Sequence, residues 1–184
     1  MNNHALLVID YTNDFVADQG ALSLKKPAQA CENRILELAE KFRKNQQFVI
    51  LPTDVHQPDD PYHPESKLFP THNVRNTWGR CLYGGLQTWY EKYQQPGKIW
   101  QIDKTRYSAF TGTDLDLRLR ERQVSTVHLV GVATDICLLH TAISAYNLNY
   151  QIILHTGGSA GFTGQNEQFV FDHLKSSLGA KVIE

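Results

Sequence analysis

Five apolar runs punctuate the chain, each too continuous for a strand with one wet face. Ala5–Ile9, Gln47–Thr53 (QFVILPT), Lys98–Ile102, Val127–Val132 and Tyr150–Leu154 are short and rich in aliphatic and β-branched residues, the pattern of strands buried on both faces. Between them the period changes. From Pro27 to Asn45 the apolar positions Ala30, Ile35, Leu38, Ala39 and Phe42 share one face of a helix that starts near the proline and ends among lysines. Leu86–Tyr93 and the charged stretch Asp114–Gln123 predict two more helices. Thr134–Leu148 predicts another, with Ile136, Leu139, Ile143 and Tyr146 at helical spacing, and Gln165 to about Leu178 the last. Thr156–Gly164 has the composition of a loop of small residues, and Ala180–Ile183 that of a strand closing the sheet edge. Strands alternating with helices along the whole length predict a single α/β domain over residues 1–184, a parallel sheet with helices on both faces.

The same pattern points to a site. In open α/β sheets ligands bind beyond the carboxyl ends of the strands, and Asp10, Asp54, Lys104 and the turn around Cys137 all stand at such ends. One connection, Asp54 to Arg80, is too long and proline-rich for a simple crossover, and ordered loops of that length usually carry function.

Composition narrows the field of functions. A chain of 184 residues suffices for one well-packed core. A formal charge of -1 with both signs intermixed leaves no basic stripe for nucleic acid or an anionic membrane, so a small-molecule partner is expected. No apolar run approaches the roughly 20 residues that span a bilayer, and the first residues lack a basic stretch followed by an apolar core. The three cysteines, Cys31, Cys81 and Cys137, are far apart, without CxxC spacing and odd in number, which fits reduced thiols in a cytoplasmic protein. Cys31 and Cys81 are expected to be packing residues.

Cys137 lies where a strand meets a helix, in the first turn, where unpaired N–H groups and the positive end of the dipole lower a thiol's pKa from about 8.5. On its own it fits a nucleophile and a buried core thiol equally well. Its neighbours supply the rest of a parts list for acyl transfer. Asp10 is placed to accept and return a proton, unless it is only a turn or cap residue. Lys104 is placed to balance the anions, unless it is a solvated surface lysine, and the Ala133 and Cys137 N–H groups to hold an oxyanion. A second constellation occupies the long loop. Asp54 and His56, two apart on extended chain, project to one side, and His63, Glu65 and His72 follow, so three of the eight histidines fall within seventeen residues beside two carboxylates. Such oxygen and nitrogen donors suit zinc, iron or manganese.

With these residues in place, the chain resembles the isochorismatase-like cysteine hydrolases and, within them, the nicotinamidase (pyrazinamidase) group. LLVIDYTNDF resembles the first strand with its catalytic aspartate at Asp10, IDKTRYSAF the catalytic lysine segment at Lys104, and GVATDICLLHTA the nucleophile turn at Cys137. The resemblance implies a Rossmann-like three-layer sandwich and a cis peptide between Val132 and Ala133 that aims the Ala133 N–H at the oxyanion. It implies a divalent ion, zinc ahead of iron or manganese, on Asp54, His56, His72 and a fourth residue, for which the HPES context favours Glu65 over His63. It also implies that the ion binds the ring nitrogen of nicotinamide, that Phe15, Phe69 and Tyr107 sandwich the ring, and that a thioester on Cys137 leads to nicotinate and ammonia in NAD salvage, with pyrazinamide as a further substrate. From composition alone the three aromatic residues are ordinary core. The resemblance is compatible with a homo-oligomer. Two other readings remain: a related amidase of a carbamoyl or ureido compound, which offers no pyridine nitrogen to an ion, and a non-catalytic metal-binding module.

Overall fold

Each of the five apolar runs is a strand in the structure, a computed structural model that describes residues 3–162 and 166–184. In chain order the elements are β1 (Asn3–Ile9), α1 (Asn13–Val16), α2 (Lys26–Gln29), α3 (Glu32–Lys44), β2 (Phe48–Asp54), α4 (Gly84–Tyr93), β3 (Ile99–Lys104), α5 (Leu115–Glu121), β4 (Val124–Val132), α6 (Leu139–Asn147), β5 (Gln151–Ala160), α7 (Asn166–Leu178) and β6 (Lys181–Ile183). The strands form one six-stranded sheet in the order β3-β2-β1-β4-β5-β6, with every neighbouring pair parallel.

Both faces of the sheet are dry, as the unbroken apolar runs require. Ala5, Leu7 and Ile9 of β1 point into a core with Leu115 and Leu119 of α5, Leu138 and Ala142 at the start of α6, and Val170 and Leu174 of α7. Leu6 and Val8 point the other way, to Ile35 and Leu38 of α3 and Leu86 and Trp89 of α4. The period-two alternation of a strand thus feeds two helical layers at once.

Three boundaries differ from expectation. The Pro27–Asn45 helix is divided between α2 and α3, because the Cys31 N–H bonds back three residues to Ala28 O, tightening one turn. β4 starts at Val124, ahead of its apolar run, because Asn3 pairs with Val124 and His4 with Thr126. The small-residue segment after Leu154 is strand as far as Ala160. Leu129 pairs with Leu154 but Gly131 with Ser159, so β5 bulges at Gly157–Gly158 and then rejoins β4. The expected start of the last helix at Gln165 and the end of the expected loop at Gly164 lie outside the described residues.

Candidate active site and metal centre

The order of the strands fixes where chemistry can happen. From β1 the chain moves to β2 on one side, whereas β4 lies on the other side of β1 and leads on to β5, so the crevice beyond β1 and β4 is the switch point of the sheet. Gly131 keeps these two strands close: it lies opposite Ile9 with φ of +110°, and a Cβ there would collide with the Ile9 carbonyl. Asp10 leaves β1 with φ of +53°, its N–H bonded to Pro52 O at 3.0 Å, and this turn directs its carboxylate inward. Lys104 ends β3, Asp54 ends β2 in register with it, and Cys137 follows β4.

These four side chains meet. Lys104 Nζ lies 2.8 Å from Asp10 Oδ2, 3.6 Å from Asp54 Oδ1 and 3.5 Å from Cys137 Sγ, and it donates to Arg106 O at 3.1 Å. Asp10 Oδ1 accepts the Asp54 N–H at 2.7 Å. Asp10 is 0% exposed, Lys104 1% and Cys137 6%, so no water screens the charges. Burial, with Asp54 adding to it, raises the Asp10 carboxyl to about 6 although Lys104 pulls it down. Burial disfavours charge on Lys104 as well, but Asp10, Cys137 and Asp54 outweigh it and hold the ammonium well above its ordinary value. The Cys137 thiol moves opposite to the helix-terminus expectation. Burial and the two carboxylates push it well above its usual value against the pull of Lys104. The sulfur therefore rests as a thiol, and Asp10 stands beside it as the available proton acceptor.

The strand-to-helix turn carries the expected cis peptide at Val132–Ala133. Beyond it the first helical turn is wide: the Leu138 N–H reaches back five residues to Ala133 O at 3.1 Å, and Cys137 sits inside this turn, next to the sheet. Ala133 and Cys137 line a small cavity. Phe15, Phe69 and Tyr107, named from the sequence, line it together with Leu22, Ile136 and Phe162, and Glu65 and His72 complete its wall. Sequence reasoning missed Leu22 and Phe162 as wall residues. Both lie in irregular segments without periodicity, and no signal in the sequence distinguishes them.

Glu65 and His72 belong to a second cluster. One ligand atom each from Asp54, His56, Glu65 and His72 lies within 4.8 Å of the others, and all four residues are buried. Asp54 Oδ2 is 2.8 Å from His56 Nε2 and 3.4 Å from His72 Nε2, and Glu65 Oε2 is 3.9 Å and 3.6 Å from the same two nitrogens. The donors fit a divalent ion. His72 Nδ1 is bonded to Pro70 O at 2.8 Å, which leaves Nε2 toward the cluster, and neither that nitrogen nor Asp54 Oδ1 makes a hydrogen bond. Burial opposes charge on both His72 and Asp54. Asp54, Glu65 and the Pro70 carbonyl outweigh it at His72 and carry the imidazole up to about 10, while Lys104, with His56 and His72, holds Asp54 well below the usual carboxylate range. His63 stands outside the set because both its ring nitrogens are taken, by the Glu65 N–H at 3.3 Å and Thr105 O at 2.8 Å. The Asp54–Arg80 segment is pinned to the sheet by Arg80, which donates to Asp54 O at 2.9 Å and pairs with Asp103 at 2.5 Å, and by Arg75, 2.9 Å from Asp103. Among the described residues no helix is long and apolar enough to cross a membrane.

Comparison with known proteins agrees with this geometry. The Isochorismatase domain family matches residues 4–184. A Bacillus subtilis (strain 168) protein, described as an uncharacterized isochorismatase family protein, PncA, is 46% identical over 180 residues, covering 98% of each chain. A pyrazinamidase/nicotinamidase from Streptococcus mutans UA159 superposes with a TM-score of 0.96 at 50% identity, covering 98% of this chain and 100% of that one. A more distant Pyrococcus horikoshii pyrazinamidase, in complex with zinc, has a TM-score of 0.84 at 26% identity, covering 99% of both chains.

Proposed function

The chain belongs to the isochorismatase family, and from that premise we infer that it is a nicotinamidase, an amidohydrolase converting nicotinamide and water to nicotinate and ammonia. The observation that carries the reading is an aromatic-walled cavity whose lining includes both Cys137 and two of the four clustered donors, Glu65 and His72. A carboxamide on a pyridine ring has the matching polarity, an electrophilic carbon at one end and a ring nitrogen lone pair at the other.

In this reading Phe15, Phe69 and Tyr107 hold the ring and exclude water. Asp10 takes the proton from Cys137, and the sulfur attacks the carboxamide carbon. The oxyanion accepts hydrogen bonds from the Ala133 and Cys137 N–H groups, and Asp10 returns the proton to the nitrogen so that ammonia leaves and a thioester remains. Asp10 then removes a proton from water, which adds to the thioester carbon, and the proton goes back to the departing sulfur. Lys104 stays charged and offsets the negative charge that moves between Asp10 and sulfur. Asp54, His56, Glu65 and His72 would hold the metal, zinc fitting a set of two imidazoles and two carboxylates, and when bound it supplies a Lewis acid for the ring nitrogen. NAD salvage in a reducing cytoplasm and activity on pyrazinamide belong to the same proposal.

The test is ammonia release from nicotinamide by the zinc-loaded protein. Cys137→Ala is expected to abolish turnover and keep the metal, whereas His56→Ala is expected to lose metal and raise KM. A folded, metal-loaded wild type that releases no ammonia from nicotinamide, or does so only from ureido compounds, overturns the assignment.

A further inference from the structure

We propose that His63 is a positioning residue that ties the metal-binding loop to the catalytic-lysine segment, so that two parts of the cavity lining are set by one imidazole. The proposal rests on the nicotinamidase reading for what the two parts do, but its geometry does not depend on the substrate. His63 caps the short turn Pro64–Lys67, and its Nδ1 accepts the backbone N–H of Glu65, the second residue of that turn. An acceptor at Nδ1 leaves the ring's proton on Nε2, and this nitrogen donates to Thr105 O at 2.8 Å, across 42 residues of chain. The ring is 9% exposed and packs edge-on against His56, with centroids 4.4 Å apart.

Each end of the ring bonds a backbone group beside a working side chain. The Glu65 N–H belongs to the residue whose carboxylate faces His56 and His72. Thr105 O follows Lys104, and the next carbonyl, Arg106 O, accepts from Lys104 Nζ at 3.1 Å before the chain reaches Tyr107 of the cavity wall. A shift of Thr105 therefore moves both the ammonium beside the sulfur and the aromatic wall. His72, by contrast, commits its Nδ1 to Pro70 within its own loop.

The two bonds separate in two variants. His63→Ala loses both, whereas an asparagine at this capping position retains an acceptor for the Glu65 N–H but is too short to reach Thr105. Zinc affinity, measured by competition with a chromogenic chelator, is expected to weaken about 10- to 100-fold in His63→Ala, the usual cost of losing an outer hydrogen-bond partner of a metal site. His63→Asn should regain most of it. The alkylation rate of Cys137 in metal-free protein, followed by the mass of its peptide, should change to the same extent in both variants because both lose the Thr105 bond. A residue with a merely structural role would lower thermal stability and both readouts together, with no rescue by asparagine. That result overturns the proposal, as does a His63→Ala protein that binds zinc like the wild type. If instead the wild type binds no zinc, the metal reading of the site falls as well, whereas absent ammonia release with the expected His63 pattern removes the substrate assignment alone.

Discussion

Lys104→Met replaces the buried ammonium with a side chain of similar length and leaves Asp10 and Asp54 facing each other without a cation. At an effective dielectric of about 20, a unit charge pair attracts by about 6 kcal/mol at the 2.8 Å of Lys104–Asp10 and about 5 kcal/mol at the 3.6 Å of Lys104–Asp54. These are gross attractions. After the desolvation of the ammonium is returned, removing one partner of a buried pair costs about 3–5 kcal/mol. The sign of the pH dependence follows from Asp10. Its carboxyl, already raised to about 6 by burial in the presence of the lysine, moves higher once the lysine is gone, and a raised carboxylate pKa is a penalty paid only where the group must ionise. The deficit is therefore largest at alkaline pH, shrinks as the pH falls through the variant's raised Asp10 pKa, and levels off below about 6, where Asp10 is protonated in the wild type as well. Urea denaturation of metal-free wild type and variant at pH 8 and pH 5 measures it. Adding Asp10→Asn should recover about 2 kcal/mol at pH 8, the non-additivity expected of groups in contact. A variant within about 1 kcal/mol of wild type at pH 8, or a deficit that grows toward pH 5, would refute the electrostatic account of the site.

Two further outcomes follow. Because Asp10 must be ionised to accept the thiol proton and titrates at about 6, kcat/KM for nicotinamide should fall as the pH drops through that value, and Asp10→Asn should lose activity about 100- to 10,000-fold; an acidic limb near pH 4 would contradict the raised carboxyl. Gly131→Ala places a Cβ against the Ile9 carbonyl at φ of +110°, so thermal denaturation should report a loss of at least about 2 kcal/mol; a variant as stable as wild type would mean that β1 and β4 are not held as described.

The site was legible where chemistry sits at strand ends. Asp10 and Lys104 follow the ends of apolar runs and Cys137 lies in the turn after another, and parallel strands bring such ends to one edge whatever their order. Asp54 and His56 were legible from their alternation on extended chain. Choosing Glu65 over His63 from composition was not possible, because the exclusion of His63 depends on Thr105, which is remote in sequence and carries no sign of the contact. The thiol's pKa was misjudged for a similar reason: a helix terminus is visible in sequence, whereas enclosure beside two carboxylates is tertiary. In the fold, Thr156–Ala160 looked like loop because Gly157 and Gly158 are turn residues locally, and only the return of β5 to β4 across the bulge makes it strand.

The Asp54–Arg80 segment has a consequence for how such molecules diversify. It leaves the sheet after β2 and ends before α4, so its length and its clustered donors after Asp54 can change without altering the register of any strand. Cys137 and Asp10 lie on other stretches of chain, and the links between the halves are Asp54, which contacts Asp10 and Lys104, and the His63 bond to Thr105. On the proposed reading, a scaffold divided in this way can exchange the part that recognises a ring while keeping its acyl chemistry, provided that Asp54 and a tie like that of His63 to Thr105 are retained.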